Sequence, residues 1–246
     1  MSRVSSQLLA SILVNAIYEM KNYPVILINT VLSPLSFLIL IFFVSGGELL
    51  GVAILGGLIM TMFQAGTFLQ ADLSHLKNDF KIQEMVVSSP TSAVTYVSGM
   101  AISELIYSSP ALGILGILFA LYIHIPFISV VGIMVVLLLM FLTSVSLGFA
   151  LATVSSDIVQ SFAFSRLLTV LFSTLAPVYY PIDLIPEPFR YAAYLSPTTY
   201  AAQISQDLGG FFPISPGMMV LDWVVLVAST IFFLWIGIRR SRWRER

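Results

Sequence analysis

Apolar residues form long uninterrupted runs, and the charged positions fall almost entirely in the gaps between them. No Asp, Glu, Lys or Arg occurs from Asn22 to Gly47, from Leu49 to Ala71, or from Leu105 to Ser156. About 20 apolar residues cross the ~30 Å hydrocarbon core as a helix, so each of the first two runs makes one span. The third is too long for one. His124-Ile125-Pro126 divides it, because proline lacks an N–H and disfavours helix in the residue before it. The pattern predicts six spans, at Pro24–Val44, Leu49–Gln70, Val94–Leu121, Phe127–Thr153, Phe162–Tyr180 and Pro216–Ile238. The chain reads as an all-α integral membrane protein.

The segments between spans carry their own patterns. In residues 1–22, Val4, Leu8, Ile12, Ala16 and Met20 recur every fourth position, joined by Leu9, Leu13 and Ile17, with Ser11, Asn15 and Glu19 opposite. One apolar stripe of that period predicts an amphipathic helix lying in the membrane interface. Residues 23–246 then form the six-span domain. Within it, 72–93 mixes charges with Phe80, Ile82, Met85, Val86 and Val87 before Ser88-Ser89-Pro90, which suits a short helix with one apolar face. Residues 181–215 hold Pro181, Pro186, Pro188 and Pro197 among tyrosines and phenylalanines. Proline is tolerated in a first helical turn and tyrosine favours the interface, so short re-entrant helices are expected there.

Composition agrees: 58% of the 246 residues are hydrophobic and 9% charged. The net charge of −1 says little, but its distribution orients the chain. With the N-terminus inside, the cytoplasmic side receives Arg3, Lys21, Lys77, Lys81, Arg166 and the arginines of the C-terminal tail; the other side receives Arg190 alone. By the positive-inside rule both termini are cytoplasmic, in the cell membrane. Segment 72–93 is then cytoplasmic, and segment 181–215 external.

The search for chemistry is mostly negative. There is no cysteine, so no thiolate site. Nucleotide hydrolysis calls for G-x-x-x-x-G-K-[ST], yet Lys21, Lys77 and Lys81 are followed by Asn22, Asn78 and Ile82. Ser45-Gly46-Gly47-Glu48 is similar to the core of an ATPase signature, but it joins two spans and reads as a hairpin turn. His75 and His124 fall on opposite sides of the membrane, so no shared metal is expected. Glu104 is the deepest ionisable group and either faces a translocation path or fixes helix packing. Arg166 and Asp222 lie near span ends, where snorkelling or surface exposure accounts for them.

Pro181-Ile182-Asp183-Leu184-Ile185-Pro186, then Phe189-Arg190, then Leu195-Ser196-Pro197-Thr198-Thr199-Tyr200 resembles the signature of ABC-2 type transporter permeases. The stretch from Lys81 to Ser92, with Glu84 and Pro90, is similar to that family's link to its ATPase, and Ser103-Glu104-Leu105 followed by Pro110 echoes its third span. The resemblance implies a permease subunit, not itself an enzyme, that exports an amphipathic or apolar drug, lipid or glycan. ATP and Mg would be bound by a separate ABC ATPase subunit, leaving this chain without a cofactor. A second copy, forming a homodimer, and the lipid bilayer complete the expected partners; nucleic acid is not among them.

On this reading Phe80, Lys81, Ile82, Glu84, Met85, Val86 and Pro90 couple to the ATPase. Pro181, Pro186, Pro197 and Tyr200 form an external gate, and Gln64, Glu104, Phe164 and Phe172 line the path. Spans two and five, with Gln70, are expected at the seam between copies. The competing expectation is a stand-alone secondary transporter or channel, which calls for ionisable residues near the midplane of several spans.

Overall fold

The computed structural model describes residues 3–22, 24–78, 93–155, 157–172 and 176–240, and among these it is all helical, with no strand. Helix α1 (Arg3–Ile12) runs through a π-helical stretch, Leu13–Tyr18, into α2 (Glu19–Asn22). Then follow α3 (Pro24–Ser45), α4 (Leu50–Asn78), α5 (Ala93–Tyr107), α6 (Ser109–Tyr122), α7 (Phe127–Val154) and α8 (Ile158–Val170). A 3-10 turn at Ile182–Leu184, α9 (Phe189–Ala193), α10 (Pro197–Leu208) and α11 (Pro216–Arg240) complete the chain.

Helices α3, α7 and α11 lie close to the predicted spans, α4 starts as predicted but continues past Gln70 to Asn78, and two other spans differ. The predicted Val94–Leu121 is two helices, α5 and α6, bent by 54°. Pro110 stands in the first turn of α6, where its missing N–H leaves the Ile106 carbonyl without its helical donor. The predicted Phe162–Tyr180 starts earlier and stops sooner. Asp157 caps α8 by accepting from the Gln160 N–H at 2.8 Å, and the chain is no longer helical at Ala176, which Pro177 disfavours. Among the described residues, three helices are long and apolar enough to cross a membrane, or up to four if the bent pair is one span.

The centre is α4. Across its most apolar 18 residues, 83% are buried within the chain, against 39% for the corresponding stretch of α7 and 17% for that of α11. Glycine permits this enclosure: a Cβ on Gly66 would strike Ser144 and the Val145 N–H, and one on Gly148 would strike the Gly66 carbonyl. Helices α4 and α7 thus meet backbone to backbone, as small residues allow in membrane bundles. Hydroxyls and an amide stitch the seam. Ser144 donates to the Met62 carbonyl at 3.1 Å, Gln70 donates to Ser155 at 3.3 Å, and Ser165 of α8 donates to the Gln70 oxygen at 3.2 Å.

These contacts also give directions. Ser144 meets Met62 and Ser155 meets Gln70, so α4 and α7 run parallel. Thr143 bonds Thr230 at 2.8 Å and Gly237 lies against Ser146, so α11 runs parallel to α7. Ser165 meets Thr67 while Phe172 meets Phe63, so α8 runs antiparallel to α4. Gly57 faces Leu115 of α6 while Leu69 clusters with Met100 of α5, so the bent pair taken together also runs antiparallel to α4.

The N-terminal helix turns a mixed face inward, with Ser11 and Leu8 against Gly99. A Cβ on Gly99 of α5 would come within 2.8 Å of the Ser11 hydroxyl, and Asn15 donates to that hydroxyl at 3.2 Å. Leu9, Leu13 and Ile17 of the predicted apolar stripe are exposed on the other side, with Val14 and Tyr18 beside them. Ala16, in the same stripe, is fully buried.

Candidate functional site

The most unusual element is α10, a short polar helix held inside the bundle. Pro197 fits its first turn, and every residue from Pro197 to Gln206 is buried, including Thr198, Thr199, Gln203, Ser205 and Gln206. It packs against α4, α7 and α11. Polar side chains in such a place need partners, since water is excluded and an orphaned group is costly.

Most of these partners are backbone carbonyls where neighbouring helices end. Thr198 donates to the Phe172 carbonyl at 3.2 Å and shares a hydrogen bond with Ser196 at 2.6 Å. Thr199 donates to the Ala193 carbonyl, and the Tyr200 hydroxyl to the Tyr194 carbonyl at 2.8 Å. Gln206 reaches the carbonyls of Pro177 and Tyr180, each at 3.4 Å. Helix α10 therefore fastens α9, the end of α8 and residues 176–180 into one lid.

The Tyr179 ring stacks on Phe37 of α3 with centroids 5.0 Å apart. At the surface of the lid, Arg190 pairs with Asp183 at 3.5 Å and donates to the carbonyls of Ile185 and Asp183. The pair is exposed, and such contacts contribute little.

The predicted site residues fall into separate groups. Pro181, Pro197 and Tyr200 are buried in the lid, whereas Pro186 is exposed. Phe172 belongs with them: its carbonyl accepts Thr198 and its ring lies edge-on to Phe63, centroids 5.0 Å apart. Gln64 and Phe164 are half-buried on α4 and α8. Glu104 is buried on α5, next to Ser103, whose hydroxyl lies 3.5 Å from the Ser11 carbonyl. Gln70, expected at a seam between copies, is fully buried and bonded within the chain. The coupling residues Phe80, Lys81, Ile82, Glu84, Met85, Val86 and Pro90 lie outside the described residues.

The sequence of the chain matches the ABC-2 type transporter family over residues 7–208. The chain belongs to the ABC-2 type transporter family. The ABC-2 match takes in α4, the bent pair and the whole lid, and ends at the last residue of α10. No curated protein matches the sequence.

In this ABC-2 chain Asp222 is not the surface group that its place near a span end suggests. It is fully buried on α11, and neither carboxylate oxygen has a hydrogen-bond partner. The Oε1 of Gln203 and the hydroxyl of Ser205 on α10 are likewise unpartnered. The burial follows from α10 entering the bundle beside α11, which the hydropathy of α11 alone does not signal. Arg166 is exposed, as its position suggested.

Proposed function

We propose that this chain is the membrane subunit of an ABC exporter, moving an amphipathic or apolar cargo with energy from a separate ATPase subunit. Two copies would form the conduit, with six crossings per copy and both termini in the cytosol. The alternating directions of α4, α6, α7, α8 and α11 support that count, since successive crossings must reverse.

The observation that carries the reading is the reach of α4. It spans 29 residues, about 44 Å at 1.5 Å per residue. One end leads into residues 79–92, the proposed docking segment. The other half touches the lid, where Phe63 meets Phe172. A shift imposed by the ATPase on the docking segment would pass along this helix to Phe172 and so to Thr198 at the start of α10. Coupling of this kind acts only through contacts that differ between two packings. The Phe63–Phe172–Thr198 chain offers such contacts. The largely uncharged spans favour an amphipathic or apolar cargo over a small ion.

Replacing Glu84 and Met85 together with alanine tests the docking. Tagged wild-type chain, purified in mild detergent, should bring down a P-loop ATPase, and the double variant should insert normally but lose it. Undiminished recovery of the ATPase with the variant would refute this docking assignment.

A further inference from the structure

Asp222 calls for a positive partner, and no described residue supplies one. An unpaired carboxylate within a lipid-surrounded bundle costs several kcal/mol. Helix α7, packed against α10 and α11, has no charged residue from Phe127 to Val154, and α4 has none from Leu50 to Gln70. On α10 the only Asp, Glu, Lys or Arg is Asp207, whose side chain accepts the Ile214 N–H at 2.8 Å. The nearest cation along α11 is Arg239, about 25 Å away at 1.5 Å per residue, where it stacks on Trp235.

The facing helix presents a further acceptor. Tyr200 lies close enough for the Asp222 charge to act on it, but its hydroxyl is committed to the Tyr194 carbonyl. Gln203 follows three residues later, on the same helical face. Its side chain is 6% exposed and its Oε1 has no donor. Asp222 Oδ1, Asp222 Oδ2 and Gln203 Oε1 are thus three orphaned acceptors on adjoining helices.

We propose that Asp222 and Gln203 form the recognition site for a protonated amine on the cargo, entered when α10 parts from α11. An alkylammonium carries up to three donors, which matches three acceptors. A divalent metal would take six or more oxygens, and no cluster of three His, Cys, Asp or Glu residues that could hold one occurs among the described residues. The link between the two helices suits such parting: Gly210 has φ of 76°, and nothing lies within 4 Å of a Cβ on Gly217. Asp183 and Glu187, both exposed on the lid, add negative charge that concentrates cations at this end. The proposal rests on the permease reading and names the class of its cargo.

The test uses the full-length chain in phosphatidylcholine nanodiscs, with 1,10-diaminodecane dansylated at one nitrogen as fluorescent probe, which leaves the other amine free to carry the positive charge. Saturable binding is expected, displaced by decylamine and not by decanol. Asp222→Asn should weaken it about ten-fold or more, and Asp222→Glu far less. Gln203→Met should weaken it, and this variant decides the matter if Asp222→Asn does not accumulate. Absence of saturable binding to the wild type, equal displacement by decanol, or wild-type affinity in the deciding variant would overturn the site. If the site fails while ATP-driven efflux of an uncharged amphipath persists, the permease reading stands and only this proposal falls.

Discussion

The hydroxyl of Thr198 donates to the backbone carbonyl of Phe172 across 3.2 Å, joining the start of a buried polar helix to the point where α8 leaves regular geometry. A carbonyl at a helix end has lost its intrahelical donor, and in lipid it cannot turn to water. Part of the polarity of α10 is thereby explained: Thr198 and Gln206 satisfy carbonyls where the chain leaves helix, and Thr199 adds a second donor to the Ala193 carbonyl, which also accepts the Ser196 N–H.

Thr198→Val removes that donor at nearly constant volume. We expect a loss of about 1 kcal/mol, seen as a lower midpoint in detergent thermal unfolding, with Thr198→Ser close to wild type. A valine variant as stable as the parent would mean that the bond does not anchor the lid.

Gly66→Leu should abolish accumulation of folded protein, because its side chain would enter the α7 backbone at Ser144 and Val145. Overpacking a tight seam costs about 1–3 kcal/mol or more. Gly113→Leu, where a Cβ meets nothing within 4 Å, should be tolerated. Size-exclusion profiles of the two variants in the same detergent would separate them; equal yields would contradict the α4–α7 packing.

The native chain has no cysteine, so introduced pairs report cleanly. Thr143→Cys with Thr230→Cys should form a disulfide within one chain, since the two hydroxyls are 2.8 Å apart. A mobility shift under oxidising conditions that reverses with reductant is the expected result. If Thr143→Cys pairs instead with a cysteine at Ser229, the register of α7 against α11 is wrong.

Much of this architecture is legible from composition. Where a helix faces lipid or a tight apolar core, partitioning acts on each residue separately, and α3, α7 and α11 fall near their predicted limits, while α4 runs on past Gln70 to Asn78. Breaks are harder to read. Pro110 marks the kink between α5 and α6, yet the apolar run passes through it unchanged. The start of α8 carries a local signal, Asp157 followed at the third position by Gln160, that the length of an apolar run does not register. Tertiary placement is not legible at all from one segment. Asp222 is buried because α10 folds back beside it, and Ser11 faces inward because Gly99 leaves room for it.

Single cysteines replacing Asp183 and Glu84 would test the orientation with a membrane-impermeant maleimide on intact cells. Residue 183 should label from outside, and residue 84 only after permeabilisation. Labelling of residue 84 on intact cells would invert the topology and remove the docking segment from the cytosol.

The decisive measurement is transport by the purified chain in liposomes, with and without its co-isolated ATPase. The account predicts that a fluorescent amphipath moves only when the ATPase, Mg and ATP are all present, and that the chain alone does not drive it uphill. Concentrative transport by the chain alone, undiminished by omitting the ATPase, would contradict it.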